Sequence, residues 1–119
     1  MPPQNLVAAH PAGFGPNISA GLFDGQQIVL SSPVDACSTL DGSSYNDKIV
    51  LIVRGTCTFV EKIKAASAAG AKGAIVYNNV GGILRMGGSG DGITIPSMSV
   101  TQETGALLTV SILSFAVFF

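Results

Sequence analysis

Charge is scarce in this chain. Of 119 residues, six are Lys or Arg and seven are Asp or Glu, giving 11% charged residues and a net charge of −1. Soluble domains carry about twice that share. A nucleic-acid partner would need a clustered basic surface, and six scattered cations do not form one. There is one His, two Cys and no Trp. An all-protein zinc site draws three or four ligands from Cys, His and carboxylates, so the supply is poor and no metal or cofactor is expected. A hydroxyl or thiol nucleophile would have to borrow His10, which sits in a Pro-rich stretch. Neither H-E-x-x-H nor G-x-S-x-G occurs. Heptads are absent and glycine is abundant, which excludes a coiled coil. No catalytic residue is assigned, and an enzyme acting alone is not expected. So low a charge also suggests a surface partly covered by a larger parent protein.

What is present is aliphatic. Apolar residues make up 47% of the chain, in strong runs, which argues against disorder. The length fits one domain. Residues 1–26 read as a turn-rich leading segment, 27–113 as the domain and 114–119 as an apolar tail. Met1 is followed by no basic region and no long apolar run, so no secretory signal is read there. A short strand or an irregular tail is expected at Leu6–Ala9, and a strand at Gln27–Leu30 between turn residues.

Lys48–Val53 reads K-I-V-L-I-V. It is too short and too β-branched for a helix. Its apolar run is continuous rather than alternating, so both faces should be covered, as in a central strand. Thr58-Phe59-Val60-Glu61 has the form of a capping box. The helix it opens should run from Phe59 to about Ala69, with Phe59, Ile63 and Ala66 inward and Glu61, Lys62 and Lys64 in water. Gly70 supplies the stop. Gly73–Tyr77 is the next strand, and the three elements make a βαβ unit with parallel strands. A strand is expected within Ile93–Val100, entered through Pro96. Thr101 should cap a further helix weakened by Gly105. A last core strand is expected at Thr109–Leu113, inside a chargeless run of fifteen residues from Gly105. That run is shorter than the ~20 residues that span a bilayer, so no membrane span is expected.

Several groupings could carry chemistry. Cys37 and Cys57 could form a disulfide or remain buried thiols, and Cys57 before a helix N-terminus could be a reactive nucleophile. A bridge closing that loop would contribute about 3 kcal/mol. Asn17-Ile18-Ser19 is a glycosylation sequon, and with the Cys pair it supports a secretory route. Gly87–Gly92 resembles a phosphate cradle but lacks the Lys-Ser/Thr ending, and reads as a hairpin tip. Arg54 lies at the carboxyl end of the central strand, where open α/β sheets bind ligands. It could hold a carboxylate or a peptide carbonyl, or brace a loop. Asn78 and Asn79 end the next strand on the same rim, as ligand contacts or as turn formers.

Lys48–Val53 followed by Arg54-Gly55-Thr56-Cys57-Thr58-Phe59 resembles the K-I-V-L-v-x-R-G-x-C-x-F signature of the protease-associated (PA) domain family. Lys62, the Ala65–Ala71 stretch, Ala74–Asn79 and Ile95–Val100 continue the likeness, which covers about Asp35 to Leu108. The resemblance implies an α/β fold of the swivelling β/β/α type. Such a fold is a curled mixed sheet or open barrel flanked by two or three short helices. It implies a non-catalytic module that binds peptide or protein segments, or gates access to a parent secreted peptidase. The partner would then be such a segment or that peptidase's catalytic domain. The family also supplies lumenal parts of sorting receptors and of transmembrane RING ligases. Cys37 and Cys57 match a disulfide of many members. The Phe14-Gly15-Pro16 and Val34–Cys37 stretches look most like the insert of fungalysin-type metalloproteases. On this basis the chain is expected to be a stand-alone domain or a fragment, placed outside the cell or in the vacuolar or secretory lumen.

Overall fold

In the computed structural model, residues 10–11, 27–41, 45–82, 84, 93–114 and 117–118 are described. Four strands are parallel: β2 (Gln27–Leu30), β3 (Ile49–Val53), β4 (Gly73–Tyr77) and β5 (Ser97–Val100). Two-residue strands lie antiparallel along the outer ones: β1 (His10–Pro11) on β5 and β6 (Val117–Phe118) on β2. The order across the sheet is β1-β5-β4-β3-β2-β6. This is a mixed α/β sheet with β1 and β6 at its edges.

The unbroken apolar run of β3 has the reason expected of it. Val50 and Ile52 face one core, and Ile49 and Leu51 face another, all fully buried. The first core is closed by helix α1 (Phe59–Ala68) through Ile63 and Ala66. The second is closed by helix α2 (Gln102–Ser114) through Leu108 and Ile112. β3, β4 and β5 therefore bury both faces, which period-2 amphipathicity could not do.

Helix α1 begins as its sequence directs. Thr58 is extended, its Oγ1 accepts from the Glu61 N–H at 3.1 Å, and its own N–H donates to Glu61 Oε1 at 3.3 Å. Gly70 ends it at φ +88°, a conformation costly for any side chain. A Cβ there would also sit 2.8 Å from Asn46 Oδ1.

Two expectations need correction. Lys62 does not face water: it is completely buried. It lies three residues after Phe59 and four before Ala66, on the flank of the inward stripe, and its amine finds backbone carbonyls there. Thr109–Leu113 is not a strand but the second half of α2. Its Thr, Val and Ile favour β structure in isolation. Packing decides otherwise, because Leu108 and Ile112, four apart, both reach the sheet only on a helix. Thr109 Oγ1 turns back to donate to Gly105 O at 2.8 Å. The strand beside β2 is formed by Val117–Phe118 instead. Of the Ile93–Val100 stretch, only Ser97–Val100 pairs as strand. The Leu6–Ala9 and Gly87–Gly92 expectations lie outside the described residues.

Candidate functional site

Parallel strands bring the carboxyl ends of β3, β4 and β5 to one rim. Arg54 follows β3 and keeps its ladder bond, with its N–H donating to Tyr77 O at 3.0 Å. Asn78 follows β4, and its N–H donates to Val100 O at 3.1 Å. Gln102 opens α2 just after β5.

Side chains knit these loops together. Arg54 Nη1 donates to Asn78 Oδ1 at 3.0 Å. Asn78 Nδ2 donates to Gly82 O at 3.0 Å, which holds the Asn79–Gly82 turn against the rim. Asn79 Nδ2 donates to Arg54 O at 3.3 Å, and Gln102 Nε2 donates to Asn79 O at 3.3 Å. Gly55, at φ +119°, lets the chain leave β3 beneath Asn79.

The structure thus brings together Arg54, Asn78 and Asn79, and it separates their roles. Asn78 is 2% exposed and uses both amide atoms on the protein, so it positions its neighbours. Arg54 and Asn79 are exposed. The Arg54 bond to Asn78 goes to a neutral amide, so its positive charge remains available to a carboxylate or a peptide carbonyl.

Beneath this rim lies the Cys37–Cys57 disulfide, with Cα atoms 5.7 Å apart. It replaces both the free-thiol reading and the Cys57 nucleophile reading, since no thiol is present. Lys62 lies against it. Its Nζ donates to Gly55 O at 2.5 Å and to Asp35 O at 2.8 Å, and stands 3.6 Å from Cys37 Sγ. Burial lowers the Lys62 amine from its ordinary value, with Asp35 and Glu61 pulling the other way. The sequence held a signal for this that the water-facing reading missed, namely the helical spacing to Phe59 and Ala66. Gln102 was missed because a lone Gln at a helix start has no distinguishing pattern.

A groove of about 520 Å³ lies beyond the disulfide, between Ala36–Leu40 and Ala65, Ala68 and the C-cap Ala69 of α1. Glu61 and Lys64 edge it. Among the described residues, no group of three His, Cys, Asp or Glu side chains is placed to hold a metal. No helix of the described residues is long and apolar enough to cross a membrane. Asn17, the glycosylation candidate, lies outside the described residues, and His10 sits on the edge strand β1.

Residues 24–108 match the family described as PA domain. The chain is 38% identical over 104 residues to a receptor homology region, transmembrane domain- and RING domain-containing protein of Arabidopsis thaliana. That alignment covers 82% of this chain and 23% of the relative. It is 45% identical over 64 residues to the aminopeptidase YwaD of Bacillus subtilis, covering 52% of this chain and 14% of the relative. Among solved structures it resembles an aminopeptidase from Aneurinibacillus sp. strain AM-1 at a TM-score of 0.70 and 27% identity. There 89% of this chain and 25% of the other are covered. The chain therefore spans about a quarter or less of the length of these proteins.

Proposed function

We propose that this chain, which belongs to the PA domain family, is a non-catalytic recognition module that binds an extended peptide or protein segment along the Arg54–Asn79 rim. The observation that carries this reading is the exposed Arg54 guanidinium, fixed by a buried amide at the carboxyl end of a parallel strand. Asn78 holds one edge of the fork and leaves the others for a carboxylate or a carbonyl. Asn79 and Gln102 offer polar groups beside it. An extended segment suits such a rim, because its backbone carbonyls recur along it without requiring a pocket.

The parent favoured by the sequence comparison is receptor-like. The 38% identity to a receptor homology, transmembrane and RING protein extends over most of this chain. In that setting the module would present the rim on the lumenal or extracellular side, where a disulfide persists. A second reading rests on the aminopeptidase structures, which share the fold at 27% identity. There the module would sit beside a peptidase catalytic domain and gate access to it. A fungalysin-type parent is a third form of the same idea.

The test is an array of extended peptides, half with free and half with amidated carboxyl termini. Each is probed with the wild-type chain, Arg54→Ala and Arg54→Lys. Wild type should retain peptides carrying free or side-chain carboxylates, and Arg54→Ala should bind them at least tenfold more weakly. Arg54→Lys should recover only part of the loss, because it keeps the charge and loses the fork. Equal binding by wild type and Arg54→Ala removes Arg54 from the site.

A further inference from the structure

Lys62 is a buried amine whose partners do not match its charge. Two of its hydrogens go to the carbonyls of Asp35 and Gly55. The remaining direction points to Cys37 Sγ at 3.6 Å. A disulfide sulfur is neutral and a weak acceptor, so this third contact gains little while the bond is intact. The balance changes when the bond opens. A Cys37 thiolate would then stand beside a desolvated ammonium already held in place by two carbonyls.

We infer that the Cys37–Cys57 pair is a reversible redox site, in which Lys62 stabilises the Cys37 sulfur as a thiolate and so directs thiol reductants onto Cys57. The co-reactant is a small thiol or a protein dithiol. Its thiolate attacks Cys57 Sγ, the Cys37–Cys57 bond breaks, and the electron pair goes to Cys37 Sγ. A second thiolate attacks the reductant's sulfur in the mixed disulfide and releases Cys57, which takes up one proton. In sum, two thiols and the protein disulfide give the reductant disulfide, a Cys37 thiolate, a Cys57 thiol and one proton. Two electrons pass from the reductant to the protein.

Two arguments favour this direction of cleavage. A sulfur beside an ammonium is the better leaving group, and stabilising the reduced form raises the potential of the couple. Lys62 lies on the Cys37 side of the bond, 3.6 Å from its Sγ, whereas both Cys residues are half-buried, and the α1 N-terminus after Cys57 is the opposing influence the ammonium must exceed. The charged groups facing Lys62 are Asp35 and Glu61, and both oppose a nearby thiolate. Asp35 is partly committed, with Oδ1 accepting the Cys37 N–H at 3.1 Å. The expected effect is therefore a moderate one.

The test compares wild type with Lys62→Met in glutathione buffers at pH 7, with the redox state read by mass after alkylation. Wild type should be reduced at least tenfold more readily, equivalent to ~30 mV for this two-electron couple. Equal constants overturn the inference. Lys62→Met removes two hydrogen bonds as well as a charge, so a second measurement uses the unaltered chain. Reduced wild-type protein is pulsed with iodoacetamide at pH 6.5 and mapped by mass. Cys37 should be labelled several-fold faster than Cys57. Equal labelling of the two, from a folded or an unfolded reduced chain, also overturns it.

Discussion

Gly105→Ala separates two opposed effects within α2. Alanine is the better helix former by about 1 kcal/mol, so propensity alone predicts a more stable protein. The structure predicts the reverse. A Cβ at position 105 would lie 2.4 Å from both Cβ and Cγ of Tyr77 and 2.7 Å from Cδ2. Ordinary carbon contacts are about 3.5–4.0 Å, so α2 and β4 must part by ~1 Å. The atoms in the way belong to the root of Tyr77, close to the β4 backbone, and cannot swing aside like a chain end. Parting them also loosens Leu108, which is fully buried one turn further on. Overpacking of this kind costs about 1–3 kcal/mol, and the upper half of that range applies here. The net loss should be ~1–2 kcal/mol, lowering Tm by roughly 4–8 °C for a chain of this size. Urea denaturation of wild type, Gly105→Ala and Ala106→Gly reads it directly. Ala106 is exposed on the same helix, so Ala106→Gly reports propensity alone, at about 1 kcal/mol of loss. A Gly105→Ala protein as stable as wild type, or more stable, would refute the close approach of α2 to β4.

Four further outcomes are expected. Thr58→Ala removes the Oγ1 half of the α1 capping box, leaving the residue-58 N–H to Glu61 Oε1, and should cost ~1 kcal/mol by urea midpoint at constant m. Ser97→Ala should be neutral or stabilising by up to ~1 kcal/mol, since Ser97 Oγ is buried with no partner among the described residues; a clear loss would reveal one. For Lys62, whose folded value lies below that of the unfolded chain, the unfolded state binds the extra proton between the two values. Stability should therefore rise with pH through the window below 10.5, and Lys62→Met should lack that rise. Tyr77 acts oppositely: burial raises its phenol, so above pH 10 the unfolded chain releases the proton first and stability falls.

Much of the frame was legible because local and global signals agree within it. The β3 run, the Thr58 box and Gly70 each specify one conformation, and each adopts it. The rim was legible too, since parallel strands must place Arg54 and Asn78 at the same end. Nothing in the residue pattern marks Asn78 as buried and spent on its neighbours, because an Asn pair after a strand has the same composition as an open turn. The end of α2 failed for a different reason. Thr109, Val110 and Ile112 have β propensity, but four-residue spacing from Leu108 to Ile112 wins once the second face of the sheet needs cover. The burial of Lys62 is not legible, because a charged side chain ordinarily favours water and the carbonyls of Asp35 and Gly55 come from loops whose approach only the fold reveals.

The two short antiparallel strands have a consequence for solubility. Without them, β5 and β2 would each present a row of open backbone donors and acceptors, the usual template for one molecule to add onto another. His10–Pro11 and Val117–Phe118 occupy those positions with only two residues each. Pro11 contributes no N–H, so the β1 border is a poor seed for further pairing. Both segments fall outside the 24–108 stretch that matches the family. A protein trimmed to residues 24–114, which keeps all of α2, would keep its paired cores and its rim yet lose both guards, and its characteristic failure would be chain-to-chain β-pairing rather than unfolding.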